Sequence, residues 1–447
     1  MKKYIITSVQ LNYLFIQLLV ILNCLILCGC ITEYEAKVDE VADILVVEGI
    51  ITDDETVITL SRSMNLTGGI WYSSSSLYYP VPSSNYVDNA VVYVECDDGT
   101  QWEAEPHDWG WFWTPRNGRY TIKTGTLNPE RKYHLKIEIE EMDGDCVYDT
   151  WGIISCPTKT YEYSSDYSYP IKTPEIDSIF WRKRDQGHPV MIYVSTQDPQ
   201  ILYYRWSYKE DWEYHAEHQV NWYTCPICDT YVPAELDFCP GCGMRVRYPY
   251  QCWGTSNSYG LQIGSAENTV VGKLMDVIVE IAPSSRRLSQ LYRINIKQNA
   301  ISKRSYDYFA NIKKNTEQSG NIFAPIPSEL RGNITCTTDP TRPVIGYVDV
   351  SSTTRNLRYI PRRSNLYEPL RVNYCDLIPK DSLCAWYRDP DNDPPCSIWT
   401  PPDIYVLSEK SYNPEESDMY RPIQCVDCTD SSYGGSTVRP EDWPDSY

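Results

Sequence analysis

Phenylalanine and positive charge are both scarce in this chain of 447 residues. Phenylalanine occurs 6 times against 38 tyrosines and 14 tryptophans, and 40 lysines and arginines face 60 acidic residues, so the formal net charge is −20. The negative excess argues against binding to nucleic acid, whose phosphates need cationic neutralisation. Tyrosine and tryptophan carry a polar group. Their excess fits either a β-rich protein with many half-buried edge positions or a surface that stacks on sugars or partner proteins.

Known catalytic signatures are missing as well. The sequence contains no GxSxG elbow, HExxH helix, Walker loop or GxGxxG turn, and its 5 histidines are scattered. Glu138, Glu140 and Glu141 lie close together, but such a charge run is usually a solvated face. Because these signatures are missing, we expect a protein that is not an enzyme. A glycosidase built on two carboxylates is the alternative, because its two acids need not be neighbours in sequence.

Only the start of the chain has an apolar run near the ~20 residues of a membrane-spanning helix. Two lysines precede an apolar stretch from about Leu11 to Leu27, an order typical of a secretory signal peptide. The letters LCGC that end at Cys30 resemble a lipobox. This pattern predicts a signal peptide over residues 1–29 and lipidation, with palmitate among the acyl chains, at Cys30. An uncleaved signal anchor is the alternative. Residues 30–42 are then an acidic tether.

A β pattern follows from residue 43. Apolar and polar residues alternate along 133–139, as in a half-buried strand, and DDG at 97–99 and RNG at 116–118 read as hairpin turns. Short strands separated by turn signals predict an Ig-like β-sandwich over 43–155. Serines and prolines in 156–175 indicate a linker after it.

A second β-rich domain is predicted over residues 176–366. It contains one credible helix, 303–318, with Ser302 as N-cap and Gly320 just beyond its end. The spacing of apolar residues along this helix predicts that one face packs on a sheet. The fold class is therefore mainly β, and the remaining residues, 367–447, form an irregular tail that contains cysteines.

Two CxxC knuckles form the sharpest local motif of the sequence. Cys225 and Cys228 are followed after ten residues by Cys239 and Cys242, within an insertion at 223–250. Four thiolates suit tetrahedral zinc and close its coordination shell, so we expect a structural, zinc-ribbon-like site. Iron in the same cage is one alternative. Two disulfides in an oxidising compartment are the other, and bridges between the knuckles would form more easily than bridges within one.

Further cysteines crowd the tail, which lacks an apolar core of its own. Disulfides there would restrict the unfolded chain, although the sequence does not reveal their connectivity. The candidates are Cys375, Cys384, Cys396, Cys425 and Cys428.

Three tryptophans at every second position form a candidate binding surface. Trp109, Trp111 and Trp113 would lie on one side of a strand, where flat rings could stack on a glycan, a peptide ligand or the rim of a partner. The alternative is that they fill the sandwich core or cover its edge.

Several blocks of the chain resemble a known family. They are the stretch 294–350 with its GNI and VIGY segments, LVVEGIITDD at 45–54, DNAVV at 88–92, and CVDC, GG and PEDW in the tail. Together they are similar to the Bacteroidota lipoprotein family filed as domain of unknown function 4249. The knuckle insertion departs from the pattern of that family.

The resemblance implies a location and a partner. Such proteins look like outer-membrane lipoproteins encoded beside TonB-dependent, SusC-like transporters, and acidic residues after the lipidated cysteine resemble a signal for display on the cell exterior. We therefore expect an accessory or binding component of a nutrient transporter, anchored in the outer membrane. The alternatives are an assembly lipoprotein that never touches substrate and a surface hydrolase. The resemblance carries over no catalytic residue.

Overall fold

The computed structural model describes residues 44–63, 71–74, 77–80, 85–105, 118–142, 147–148, 154–155, 157–220, 222–225, 228, 230–233, 236, 238–243, 248–258, 260–318, 332–369, 375–379, 382, 405–409, 419–430 and 434–445. All of them except Ser63 belong to one compact unit. The predicted signal peptide at 1–29 and the acidic tether at 30–42, with its lipidation residue Cys30, lie outside the described residues.

Twenty-seven strands and one α-helix occur in this part of the chain. The first strands are β1 (Leu45–Thr52), β2 (Thr56–Arg62), β3 (Trp71–Ser74), β4 (Leu77–Pro80), β5 (Ala90–Cys96), β6 (Gln101–Glu103), β7 (Arg119–Ile122), β8 (Tyr133–Met142), β9 (Val147–Tyr148), β10 (Ile154–Ser155) and β11 (Thr158–Ser165). The next are β12 (Ser178–Lys183), β13 (Val190–Gln197), β14 (Tyr203–His215), β15 (Trp222–Thr224), β16 (Tyr231–Pro233), β17 (Gln251–Asn257), β18 (Gln262–Ser265), β19 (Lys273–Ile281) and β20 (Leu291–Ala300).

The helix α1 (Lys303–Gln318) follows β20. After it come β21 (Ile334–Cys336), β22 (Val344–Gly346), β23 (Val350–Ser351), β24 (Thr353–Pro361), β25 (Ile378–Pro379), β26 (Tyr405–Glu409) and β27 (Met419–Pro422). Short 3-10 turns occur at Val270–Gly272, Arg286–Leu288, Arg362–Ser364 and Ile423–Cys425.

The first sandwich consists of two five-stranded sheets. One has the order β22-β1-β2-β7 with β23 also on β1, and the other has the order β21-β11-β8-β5-β6. Val47 and Ile58 from the first sheet and Val94 and Ile137 from the second are buried in one shared core. The alternation seen in β8 produces this burial, because every second side chain of a strand points to the same face. The predicted mainly β fold with an N-terminal sandwich is confirmed.

The sequence predicted that the first sandwich ends at residue 155, but the sandwich continues beyond it. Strand β11 lies inside the predicted linker at 156–175 and pairs with β8 from Thr158 to Ser164. Its serines misled the prediction, yet threonine and tyrosine in the same segment favour a strand, and Tyr163 is buried in the sandwich core. Strands β21, β22 and β23 then return to this sandwich from a point far along the chain.

The second sandwich packs a three-stranded sheet, β12-β13-β19, on a five-stranded sheet, β17-β14-β20-β24 with β18 on β14. Its core combines Ile192 and Val194 with Trp206 and Ile294. The carboxylate of Glu210 is also buried at this interface. It accepts hydrogen bonds from Tyr292 Oη at 2.6 Å and from Arg287 Nη1 at 2.9 Å, which offset the cost of burying this polar group.

Helix α1 has the predicted bounds and packs on the second sandwich. Ser302 caps it by accepting a hydrogen bond from the Ser305 backbone N–H at 3.2 Å. Tyr308 and Phe309 are buried, and the Tyr306 ring lies 5.1 Å from that of Tyr203 in β14. At 16 residues, α1 is too short to cross a bilayer, and no other described helix is long and apolar enough to do so.

The C-terminal tail lies against the outer face of the five-stranded sheet of the second sandwich, β17-β14-β20-β24. Trp443 is buried there, and its indole N–H donates to Glu213 Oε2 at 2.9 Å. The Arg293 guanidinium lies 5.2 Å from the Trp443 ring centre and also forms an ion pair with Asp211 at 2.7 Å. A disulfide between Cys252 and Cys428 joins the tail to β17. The tail, expected to be irregular, therefore has specific anchoring contacts.

Candidate metal centre

The first cysteine knuckle lies at the tip of a β-hairpin. Strands β15 and β16 pair antiparallel, with Thr224 opposite Tyr231. The Cys225 backbone N–H then donates to the Thr230 carbonyl at 2.9 Å and closes the turn that contains Cys228. The hairpin ladder thus fixes where the first two thiols stand.

The second knuckle depends on two glycines. The Gly243 backbone N–H donates to the Cys239 carbonyl at 2.8 Å, and Gly243 has φ of +71°, which few other residues adopt. At Gly241 an added Cβ would lie 3.0 Å from Cys228 Sγ. The lack of a side chain at Gly241 therefore lets the second knuckle approach the sulfur of the first.

The four sulfur atoms form one cluster. Cys225, Cys228, Cys239 and Cys242 are thiols, and their Sγ atoms all lie within 4.8 Å of one another. Zinc–sulfur bonds of 2.3 Å in a tetrahedron require sulfur–sulfur distances of about 3.8 Å. Small adjustments would therefore suffice for these residues to hold a metal ion. Such an ion would have no open coordination position, so the site fits a structural and not a catalytic role.

The surroundings of the cluster differ from side to side. Cys225 and Cys239 are buried, whereas Cys228 and Cys242 are exposed. The Thr230 hydroxyl lies 3.2 Å from Cys228 Sγ, and its hydrogen bond, together with one from the Cys239 thiol, lowers the pKa of Cys228 to about 6. Burial instead raises the pKa of Cys239. Stabilising the thiolate at Cys228 favours metal binding, because the thiolate is the form that binds metal.

The buried side of the knuckles packs on the tail. Cys225, Cys239 and Val232 share a small apolar core with the Cys375–Cys425 disulfide. The His218 backbone N–H also donates to the Cys425 carbonyl at 2.9 Å. No sequence pattern indicated that the insertion and the tail share this core, because the two are far apart in the chain.

The remaining predicted site residues fall into two groups. Cys375 is bonded to Cys425, and Cys428 is bonded to Cys252, which sequence reasoning did not include among the candidate disulfides. The residues outside the described part of the chain are Cys30, Trp109, Trp111, Trp113, Cys384 and Cys396.

Comparison with known proteins assigns a family. The model of the family described as Domain of unknown function (DUF4249) matches residues 31–145 and 154–356, which include both knuckles and most strands of the two sandwiches. The tail motifs that also suggested this family lie beyond the matched residues. No curated protein matches the chain. Because the family model covers most of its length, the chain belongs to the DUF4249 family.

Proposed function

We propose that this protein is a lipid-anchored accessory or binding component of a TonB-dependent, SusC-like nutrient transporter, displayed on the exterior of the outer membrane. The observation that carries the proposal is its DUF4249 membership, because the resemblance to that family implies the location and the partner. Two disulfides support an extracytoplasmic location, since such bonds persist in oxidising compartments and are rare in the cytosol. The lipobox-like sequence ending at Cys30 supplies an anchor.

The distance from the anchor to the folded body suits a partner in the same membrane. Strand β1 begins at Leu45, so 14 residues lie between it and Cys30. A fully extended tether of this length reaches at most about 50 Å. Lipidation at Cys30 would therefore hold the sandwiches close to a membrane-embedded partner and raise their effective concentration there.

Lipidation is tested on the protein expressed in a bacterium with an outer membrane. Labelling with an alkyne analogue of palmitate should tag the wild-type chain, and mass spectrometry should find acylated Cys30 as its first residue. The Cys30→Ala variant should lose the label, while Cys96→Ala, which alters a cysteine inside the first sandwich, should keep it. A mature chain that begins elsewhere and has no acyl group would refute the anchor.

The partner is tested by chemical crosslinking and affinity purification from native membranes. A TonB-dependent barrel recovered with the wild-type chain, and lost with Cys30→Ala, would support the proposal. Recovery of a different outer-membrane complex would favour an assembly lipoprotein. Cleavage of glycans or peptides by the purified chain would favour a surface hydrolase.

The candidate ligand surface is tested separately with glycan and peptide arrays. Replacing Trp109, Trp111 and Trp113 by alanine should weaken binding if these rings contact the ligand. Unchanged binding by a normally folded triple variant would remove them from the site.

The proposed ion at the four-cysteine cluster is structural zinc, because four cysteine ligands gathered in one cluster are its common closed site. Elemental analysis of protein purified without added metal should find one zinc per chain. The Cys228→Ser/Cys242→Ser variant, which alters only the two exposed thiols, should lose it. Iron in the same cage would instead give a coloured protein with thiolate-to-iron absorption, and that result would refute zinc.

A further inference from the structure

The sulfur atoms of the cluster are arranged as two close pairs. Cys225 Sγ lies 3.3 Å from Cys242 Sγ, and Cys228 Sγ lies 3.3 Å from Cys239 Sγ. Each close pair joins one knuckle to the other. Each cysteine belongs to one of these two pairs, so both pairs can form a disulfide at the same time.

Each close pair also combines one buried thiol with one exposed thiol. Cys225 and Cys239 are 1% exposed, whereas their respective partners Cys242 and Cys228 are on the surface. The buried members pack on the Cys375–Cys425 disulfide, so a small oxidant reaches the cluster from the opposite side. An exposed sulfur that reacts first, beside a buried sulfur that can displace the product, is the arrangement of a redox-sensitive cysteine pair.

We propose that this cluster is a site of reversible oxidation, in which a peroxide converts the four thiolates into the disulfides Cys225–Cys242 and Cys228–Cys239 and the metal ion is released. The inference rests on the metal site proposed above for its released ion, but the choice of disulfide partners follows from the sulfur positions alone. The sequence by itself left disulfides and metal as alternatives, and the geometry points to two interconverting states of one site.

The reaction balances for each pair with one peroxide molecule. The exposed thiolate sulfur attacks a peroxide oxygen, the O–O bond breaks, and a sulfenic acid and hydroxide form. The buried thiolate sulfur then attacks the sulfenic sulfur, the S–S bond forms, and a second hydroxide leaves. The two sulfurs lose two electrons and the peroxide gains them, while solvent protons convert both hydroxides to water. Zinc has no redox chemistry of its own and leaves as the divalent ion.

The location proposed for the protein makes this chemistry relevant. Outside the cytoplasm no thiol pool keeps cysteines reduced, so an oxidised cluster would persist until a thiol–disulfide exchange reaction restores it. Oxidation would also affect the tail. Two of the released ligands, Cys225 and Cys239, belong to the core that the knuckles share with the tail, so their oxidation changes the packing of that core.

The test uses the full mature chain loaded with one zinc per chain and treated with hydrogen peroxide. A chromogenic chelator follows metal release, a thiol reagent counts the remaining thiols, and cleavage at the acidic residues between the knuckles precedes non-reducing mass spectrometry. We expect release of one ion, loss of four thiols, and a covalent link between the two knuckle peptides that a reductant removes. Disulfides confined within each CxxC, or sulfinic acids with unlinked peptides, would overturn the inference.

Two matched variants test the choice of partners without metal. Cys228→Ser/Cys239→Ser keeps the Cys225 and Cys242 pair and should crosslink rapidly under peroxide. Cys228→Ser/Cys242→Ser keeps the two buried thiols, neither of which is exposed to peroxide, and should crosslink far more slowly. Equal rates would overturn the inference that each bond forms between an exposed and a buried sulfur. A chain that is purified without metal and already carries both cross-knuckle disulfides would refute the zinc proposal but support the pairing. Failure of the zinc proposal and failure of the pairing are therefore distinguishable.

Discussion

The bond between Cys252 and Cys428 should contribute more to stability than any other single link between the tail and the sandwiches. It joins β17 to the tail across a sequence separation of 176, and both side chains are fully buried. In the loop-closure description, a crosslink over this separation lowers the entropy of the unfolded chain and thereby raises the free energy of unfolding by about 5 kcal/mol. The Cys375–Cys425 bond spans a separation of 50, which gives about 4 kcal/mol in the same description.

The perturbation is the double variant Cys252→Ala/Cys428→Ala, with Cys375→Ala/Cys425→Ala as its matched control. Urea unfolding should show a free energy of unfolding lowered by up to about 5 kcal/mol for the first variant and by slightly less for the second. The folded tail should nevertheless stay in place. The Cys428 backbone N–H donates to the Pro249 carbonyl at 2.9 Å, and Tyr214 Oη donates to the Cys428 carbonyl at 2.8 Å, and neither bond needs the sulfur.

Hydrogen exchange of residues 434–445 shows whether the lost disulfide acts on the unfolded chain or detaches the tail in the folded state. Slow exchange at those amides together with a large loss of global stability would fit a crosslink that acts through the unfolded chain. A loss below about 1 kcal/mol would refute the reasoning, because it would mean that the tail contacts already restrict the unfolded state.

Three further changes have defined outcomes. Trp443→Phe keeps an aromatic ring but removes the N–H that Glu213 accepts, so urea unfolding should show a loss of about 2 kcal/mol; an unchanged midpoint would contradict that contact. Ion pairing and hydrogen bonds lower the pKa of Glu95 from 4.5 to about 2, so its carboxylate stabilises the fold above pH 4.5, and this contribution is lost as the pH falls towards 2. With allowance for solvent screening, Glu95→Gln should cost about 1 kcal/mol at neutral pH, and a difference that persists at pH 2 would contradict this origin. Gly241→Ala places a methyl group 3.0 Å from a cluster sulfur and should weaken zinc binding at least about tenfold in a chelator competition, whereas Gly260→Ala, where an added Cβ has room, should not.

Local patterns predicted the elements whose stability is local. The alternation in 133–139 identified β8, because one face of that strand is buried and the other is not. Ser302 marked the start of α1, because its side chain caps the helix. The spacing of Cys225, Cys228, Cys239 and Cys242 predicted a cluster, since each CxxC turn aims two thiols in one direction.

Features that depend on distant partners were not predictable in this way. Strand β11 reads as a linker until β8 is placed beside it, because its exposed half has no apolar residues to report the pairing. Cys252 stands ten residues after the second knuckle, and no local feature identifies Cys428 as its partner. The sequence also did not show that Trp443 fills a site formed by Arg293 and Glu213, because the strands that hold those two residues meet only in the folded sheet.

The return of the chain to its first sandwich dictates an order of events as the chain is synthesised. Strand β1 pairs in parallel with β22 and β23, so the sheet that starts at Leu45 is completed only by residues 344–351. A polypeptide that leaves the ribosome with its N-terminus first must therefore keep that sheet open while some three hundred further residues are added. All strands of the second sandwich except β24 lie within that interval, and β24 follows directly after β23. Chaperones would bind the chain at this stage, and truncation at residue 155 should yield an insoluble fragment instead of an independent module.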